Sequence, residues 1–117
     1  MKKAQLYLKF LELANSINRS SSWLSLHPVE QKMLEFVALA EHQEREIPVK
    51  DLTGLHELGS PAMLHARVHA LREKGWIELK TGDDARRKHV RLSRLALKHF
   101  NRLGECIDRT LRKRVAG

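Results

Sequence analysis

The chain is poor in cysteine, proline, aromatic residues and acidic charge, and it has no long apolar run. With Cys106 as the one cysteine, no intramolecular disulfide and no cysteine-based zinc site can form. A reducing compartment, the cytoplasm, is the expected location. No stretch approaches the roughly 20 apolar residues that cross a bilayer, so no membrane association is expected. Lys9 and Glu12 interrupt the segment after the basic start, which argues against a signal peptide. Two Trp, one Tyr and three Phe supply too few rings for a platform that stacks single-stranded nucleic acid. No Gly-rich phosphate loop and no Ser/His/Asp or Cys/His arrangement in a recognisable context is present, so neither an enzyme nor a cofactor is expected.

What is abundant is positive charge. In 117 residues, 22 Lys and Arg face 14 Asp and Glu, a formal net charge of +8. With 42% hydrophobic residues the chain can build one core, at the small end of the self-sufficient range. A single domain spanning residues 1–117 is expected. A compact basic domain suits a polyanionic partner, of which nucleic acid is the commonest.

Apolar spacing gives the elements. Leu6, Phe10, Leu13, Ala14 and Ile17 recur on one helical face, and Tyr7 and Leu11 widen it beyond a single core contact. Ser20-Ser21-Ser22 reads as a loop. Pro28 suits a first helical position and Glu30 the positive end of the helix dipole, so a helix is expected over about 28–43. Ile47-Pro48-Val49 reads as extended, followed by a brief helix near 49–56. Ser60 and Pro61 are an N-cap and a first helical residue, and Gly75 closes that helix. Trp76 to Lys80 and Lys88 to Leu92 then read as two strands of a hairpin. Ser93 caps a last helix near 94–114, where Phe100, Leu103, Ile107, Leu111 and Val115 form a stripe longer than a small core covers. Cys106, beside Ile107, is expected in packing rather than redox chemistry.

The expected fold is mainly α with a small β-hairpin: a winged helix-turn-helix flanked by N- and C-terminal dimerisation helices at 1–20 and 94–117. In such motifs the second helix enters the major groove of DNA N-terminal end first. Its inward side is taken by Leu64, Val68 and Leu71. Ser60, Ala62, Met63, His65, Ala66 and His69 are left pointing outward, and Arg67 is a further candidate DNA contact. The hairpin adds Lys80, Arg86, Arg87 and Lys88, long cations suited to phosphates or the minor groove. His65 and His69 stand one turn apart, but the stretch lacks the Glu of H-E-x-x-H, and no metal site is assigned.

The run Leu71-Arg72-Glu73-Lys74-Gly75-Trp76-Ile77, followed by Asp84-Ala85-Arg86, three residues, and Val90-Arg91-Leu92-Ser93, resembles the MarR family of winged-helix transcription regulators. Leu26-His27-Pro28-Val29-Glu30 is also similar to that family's approach to its second helix. The similarity covers roughly residues 24–103. It implies a homodimer that binds double-stranded DNA. It gives Arg86 a DNA contact at the wing tip and Asp84 the part of positioning it. Where the family often carries Thr or Ser and then Arg on the recognition helix, this chain has His65 and Ala66, with Arg67 one place on. Ala96 stands where a Gly is usual. About 24 residues follow Ser93, room for one C-terminal helix where the family has two. The resemblance also implies a small-molecule effector between dimer helices and DNA-binding part, to which no residue is assigned. Two other functions fit the same pattern: a winged-helix adaptor that binds protein, and a plasmid or phage replication or partition factor.

Overall fold

The structure, a computed structural model, describes residues 2–81 and 87–116, with side chains as far as Arg112. The order is α1 (Lys2–Arg19), a 3-10 turn (Ser22–Ser25), α2 (Pro28–His42), β1 (Ile47–Pro48), α3 (Val49–Thr53), α4 (Pro61–Glu73), β2 (Ile77–Thr81), β3 (Lys88–Leu92) and α5 (Arg94–Ala116). The chain divides into two compact units: residues 26–96, and residues 1–25 with 97–117. No described helix is long and apolar enough to cross a membrane.

The unit of residues 26–96 has a closed apolar core. Met33, Leu34, Val37 and Ala40 repeat on one face of α2 and are fully buried with Leu52, Leu64, Leu71 and Trp76. α2 starts as its sequence requires. The His27 side chain accepts from the Val29 amide at 3.1 Å, Pro28 occupies the first turn, and the Glu30 carboxylate accepts from the His27 amide at 2.8 Å. α4 is capped at both ends. Ser60 Oγ accepts from Met63 N at 3.2 Å. At the other end Gly75 (φ 82°) donates to Arg72 O, and Trp76 N donates to Leu71 O, the paired bonds of a Schellman motif. α2 ends the same way, but there the left-handed residue is Glu44, at φ 58°.

The sheet has three strands in the order β1-β3-β2, not the two of a bare hairpin. The expected extended piece at Ile47 joins it, with Ile47 opposite Val90 and Pro48 opposite His89. β2 and β3 pair antiparallel from Ile77 opposite Leu92 to Thr81 opposite Lys88. β2 starts one residue later than expected because the Trp76 amide is already used in closing α4. α3 stops at Thr53, short of the expected residue 56. Gly54 follows, Thr53 Oγ1 bonds back to Val49 O and Lys50 O, and the chain passes into tight turns through Leu58. Ser93 caps α5, its Oγ accepting from Ala96 N at 3.2 Å.

The other unit is built differently. Its 3-10 turn presents Trp23, which stacks on His99 of α5 with ring centroids 4.7 Å apart and meets the edge of Phe100. Ser21 Oγ lies 3.4 Å from His99 Nδ1, and Arg102 donates to Ser20 Oγ at 3.2 Å. Cys106 is a buried free thiol, and Thr110 Oγ1 donates to Cys106 O at 2.7 Å. Burial pushes the His99 imidazole below its ordinary range, and the Arg102 charge adds to the effect. Outside this cluster the helices keep much of their apolar surface exposed. Tyr7 and Leu8 of α1, and Ile107 and Leu111 of α5, are each about half exposed or more.

Candidate nucleic-acid interface

α3, the following turns and α4 form the helix-turn-helix, and β2–β3 follow as the wing. The burial of Leu64, Val68 and Leu71 settles which side of α4 is inward. The opposite side carries Ala62, His65, Ala66 and His69, all exposed, as are Ser60 and Pro61 at its start. No acidic residue stands in the first turn of α4, so nothing there offsets the positive end of its dipole. Arg72, exposed on the same side one turn after His69, extends the row. In the sequence Arg72 figures only in the run Leu71 to Ile77 and not as a candidate contact; its spacing from His65 and His69 is the signal that places it in this row.

The remaining candidates divide. Met63 is half-buried, its amide held by the Ser60 cap. Arg67 does not join the outward row: it turns toward α2, where its Nη1 lies 3.7 Å from Glu30 Oε2. His69 Nε2 lies 3.9 Å from Glu73 Oε1, a contact between two largely exposed side chains and a weak one. On the wing, Lys80, Arg87 and Lys88 are exposed. Asp84 and Arg86 lie outside the described residues.

Behind this surface stands a buried carboxylate that the sequence did not announce. Glu30 has no exposed side-chain area; its Oε1 accepts from Lys74 Nζ at 2.8 Å and from the His27 amide. Burial alone raises its pKa. The hydrogen bonds from Lys74 and His27 and the charges of Lys74 and Arg67 outweigh that, so the group sits below its ordinary range. At the far end of α2, Glu41 Oε1 accepts from Leu92 N at 3.1 Å and lies 3.9 Å from Arg91 Nε. Among the described residues no three His, Cys, Asp or Glu side chains converge as metal ligands.

The fold recurs in solved structures. A mutant of the Staphylococcus aureus regulator MepR bound to an oligodeoxyribonucleotide superposes over 99% of this chain and 83% of its own, with a TM-score of 0.61 at 14% identity. A transcriptional regulator from Thermotoga maritima matches over 98% of this chain and 75% of its own, with a TM-score of 0.65 at 13% identity. Wild-type MarR from E. coli in its apo form gives a TM-score of 0.57 at 18% identity, over 95% of this chain and 77% of its own. The fold is the MarR-type winged helix. No protein-family model matches the sequence, and no curated protein matches it. The fold is thus shared at a level of identity where side chains have largely diverged.

Proposed function

We propose that the chain is a dimeric, cytoplasmic transcription regulator that binds specific sequences of double-stranded DNA. The observation that carries the reading is the capped N-terminal half of α4: exposed, free of acidic side chains in its first turn, and backed by a closed core. The DNA-bound MepR relative has the same fold. In this reading α4 enters the major groove. His65 and His69 offer ring nitrogens to base edges or phosphates, Ala62 and Ala66 offer methyl contacts, and Met63 packs at the margin. Ser60 Oγ accepts from the Met63 amide, which leaves its hydroxyl proton to donate to a phosphate. Arg67 supports α4 from within. Arg72, Lys80, Arg86, Arg87 and Lys88 supply phosphate or minor-groove contacts, with Asp84 orienting Arg86.

The homodimer forms through α1 and α5. Each half-exposed apolar side chain among Tyr7, Leu8, Ile107 and Leu111 gains part of the about 1.5–3 kcal/mol that full burial of such a group supplies. Two subunits present two recognition helices about 34 Å apart, one turn of DNA, so the bound site has twofold character. No residue commits to a small-molecule effector, although one MepR structure is described as bound to ethidium bromide.

The test is a titration of duplex DNA by the purified protein at several salt concentrations. Binding should weaken linearly in log Kd against log salt. Arg87→Ala and Lys88→Ala should each reduce the slope by about one unit if they meet phosphates. Absence of salt-dependent duplex binding would favour the adaptor reading, in which the apolar faces of α1 and α5 hold a different protein.

A further inference from the structure

We infer that α2 aims both DNA-facing elements, with Glu30 and Glu41 as its two positioning residues. The inference rests on the DNA-binding reading and adds which side chains hold the reading elements in register. Glu30 grips α4 at two points. Lys74 is the C-cap residue of α4, and Arg67 lies seven residues earlier, two turns back along nearly the same side. One attachment would let a helix roll about its axis; two on one carboxylate, 2.8 and 3.7 Å away, oppose that roll. The roll of α4 decides which of His65, Ala66 and His69 faces a groove.

Glu41 is eleven residues after Glu30. At about 100° per residue that is three turns and about 20°, so both carboxylates leave the same face of α2 about 16 Å apart. Glu41 holds the wing. β1 covers β3 only at Val90 and His89, and just past that edge Glu41 Oε1 accepts the Leu92 amide at 3.1 Å and faces Arg91. A carboxylate here does the work of the next strand residue and ties β3 to the helix that also ties α4.

The arrangement assigns charge as well as position. Arg67 and Lys74 belong to α4, yet the buried Glu30 engages both. Among the described residues neither Arg67 Nε nor Glu30 Oε2 has a hydrogen-bond partner, so the Arg67 contact is ionic and not a locked fork. Buried ion pairs of this kind add little net stability compared with apolar packing. Geometry, and the withdrawal of two cations from indiscriminate phosphate binding, is what the cluster supplies.

The test uses Glu30→Gln and Glu41→Met in the full chain, below the melting temperature of each variant. Glu30→Gln should lower the ratio of affinities for a selected duplex and a scrambled duplex by about tenfold. Affinity for the scrambled duplex should hold or rise, and its salt slope should steepen, because Arg67 and Lys74 are released. Glu41→Met, which keeps the length of the side chain and removes its acceptor, should keep discrimination at the central bases and lose affinity that depends on the flanking pairs. A merely stabilising carboxylate would move the melting temperature and leave these ratios alone. Residual dipolar couplings of α4 and β3 amides relative to α2, recorded without DNA, decide the positioning independently. They should depart from the parent's at α4 in Glu30→Gln and at β3 in Glu41→Met. If Glu30→Gln does not fold, Glu30→Gln with Lys74→Gln replaces the ion pair by a neutral one and carries the same expectation for the affinity ratio and the couplings, with Arg67 alone released. Couplings that match the parent's in both variants would overturn the inference. A parent that binds no duplex would overturn the DNA reading alone, with the couplings still deciding whether α2 positions these elements.

Discussion

The unit of residues 26–96 and the unit formed by the two ends of the chain bury apolar surface in opposite ways. In the first, the apolar core from Met33 and Leu34 to Trp76 and Val90 is fully inside, and Leu39 and Leu95 are that unit's exposed large apolar residues. In the second, the stripe His99, Cys106 and Thr110 is buried while the adjacent stripe of Ile107 and Leu111 is open, and α1 has only Ala14 buried. One unit closes a core of its own in a single copy. The other has more apolar face than its own residues cover, the pattern of a surface that awaits a partner. In the function proposed above, DNA contact and assembly fall to regions with different energetics.

The sharpest break of that contrast is a cavity. Leu64→Ala removes a fully buried side chain beneath α4 and should cost about 2–5 kcal/mol, read by thermal or denaturant unfolding. Ile107→Glu with Leu111→Glu should do the reverse. The fold persists by circular dichroism, while light scattering falls to the 13.5 kDa of one chain. Affinity for a twofold site should drop by about a hundredfold through loss of bivalent engagement. A dimer that survives both charges would mean that these helices do not form the interface.

Acid should weaken the two units in separate windows. His99 has its imidazole pKa lowered from an ordinary 6.5, so the unfolded chain takes up that proton first. The stability this residue contributes is complete above about pH 6.5 and is lost as pH falls below it toward the lowered folded value. Glu30 is lowered from an ordinary 4.5; its contribution is complete above that pH and is lost as pH falls through the folded value. Amide exchange followed by NMR from pH 7.5 to pH 4 should show weakening around Trp23 and His99 before any around α4. Simultaneous weakening, or the reverse order, would contradict the assignment.

The smallest effect concerns one backbone angle. Glu44 holds a left-handed conformation at φ 58° that costs an L-residue about 1–2 kcal/mol. Glu44→Gly should stabilise the unit of residues 26–96 by about 0.5–1 kcal/mol, after the added freedom of glycine in the unfolded chain is set against the relief. A fall in melting temperature would show that the strain is absent.

These features differ in how legible they were. Pro28, Ser60-Pro61 and Gly75 carry local stop and start signals, so α2, both ends of α4 and the switch to strand period could be read directly. The outward set Ala62, His65, Ala66 and His69 followed from the inward spacing of Leu64, Val68 and Leu71. Glu44 was not legible, because nothing local marks a glutamate that occupies a position glycine usually takes. Arg67 and Glu30 were not legible either. Glu30 reads as a first-turn acid at the helix dipole and Arg67 as a candidate DNA contact, and only the crossing of α2 with α4 brings them within 3.7 Å of each other. The short β1 strand was visible as an extended piece, but its pairing with β3 joins residues 43 positions apart, beyond the reach of local pattern.

The most direct test of the account is selection of bound duplexes from a random pool by the purified protein at fixed salt, with the stoichiometry of the selected complex measured in parallel. The account predicts enrichment of a twofold-symmetric site with half-sites about 10 base pairs apart, bound by two chains. It also predicts loss of that enrichment in the His65→Ala plus His69→Ala protein while folding is kept. A pool that emerges unenriched would contradict the account, as would an asymmetric site bound by one chain.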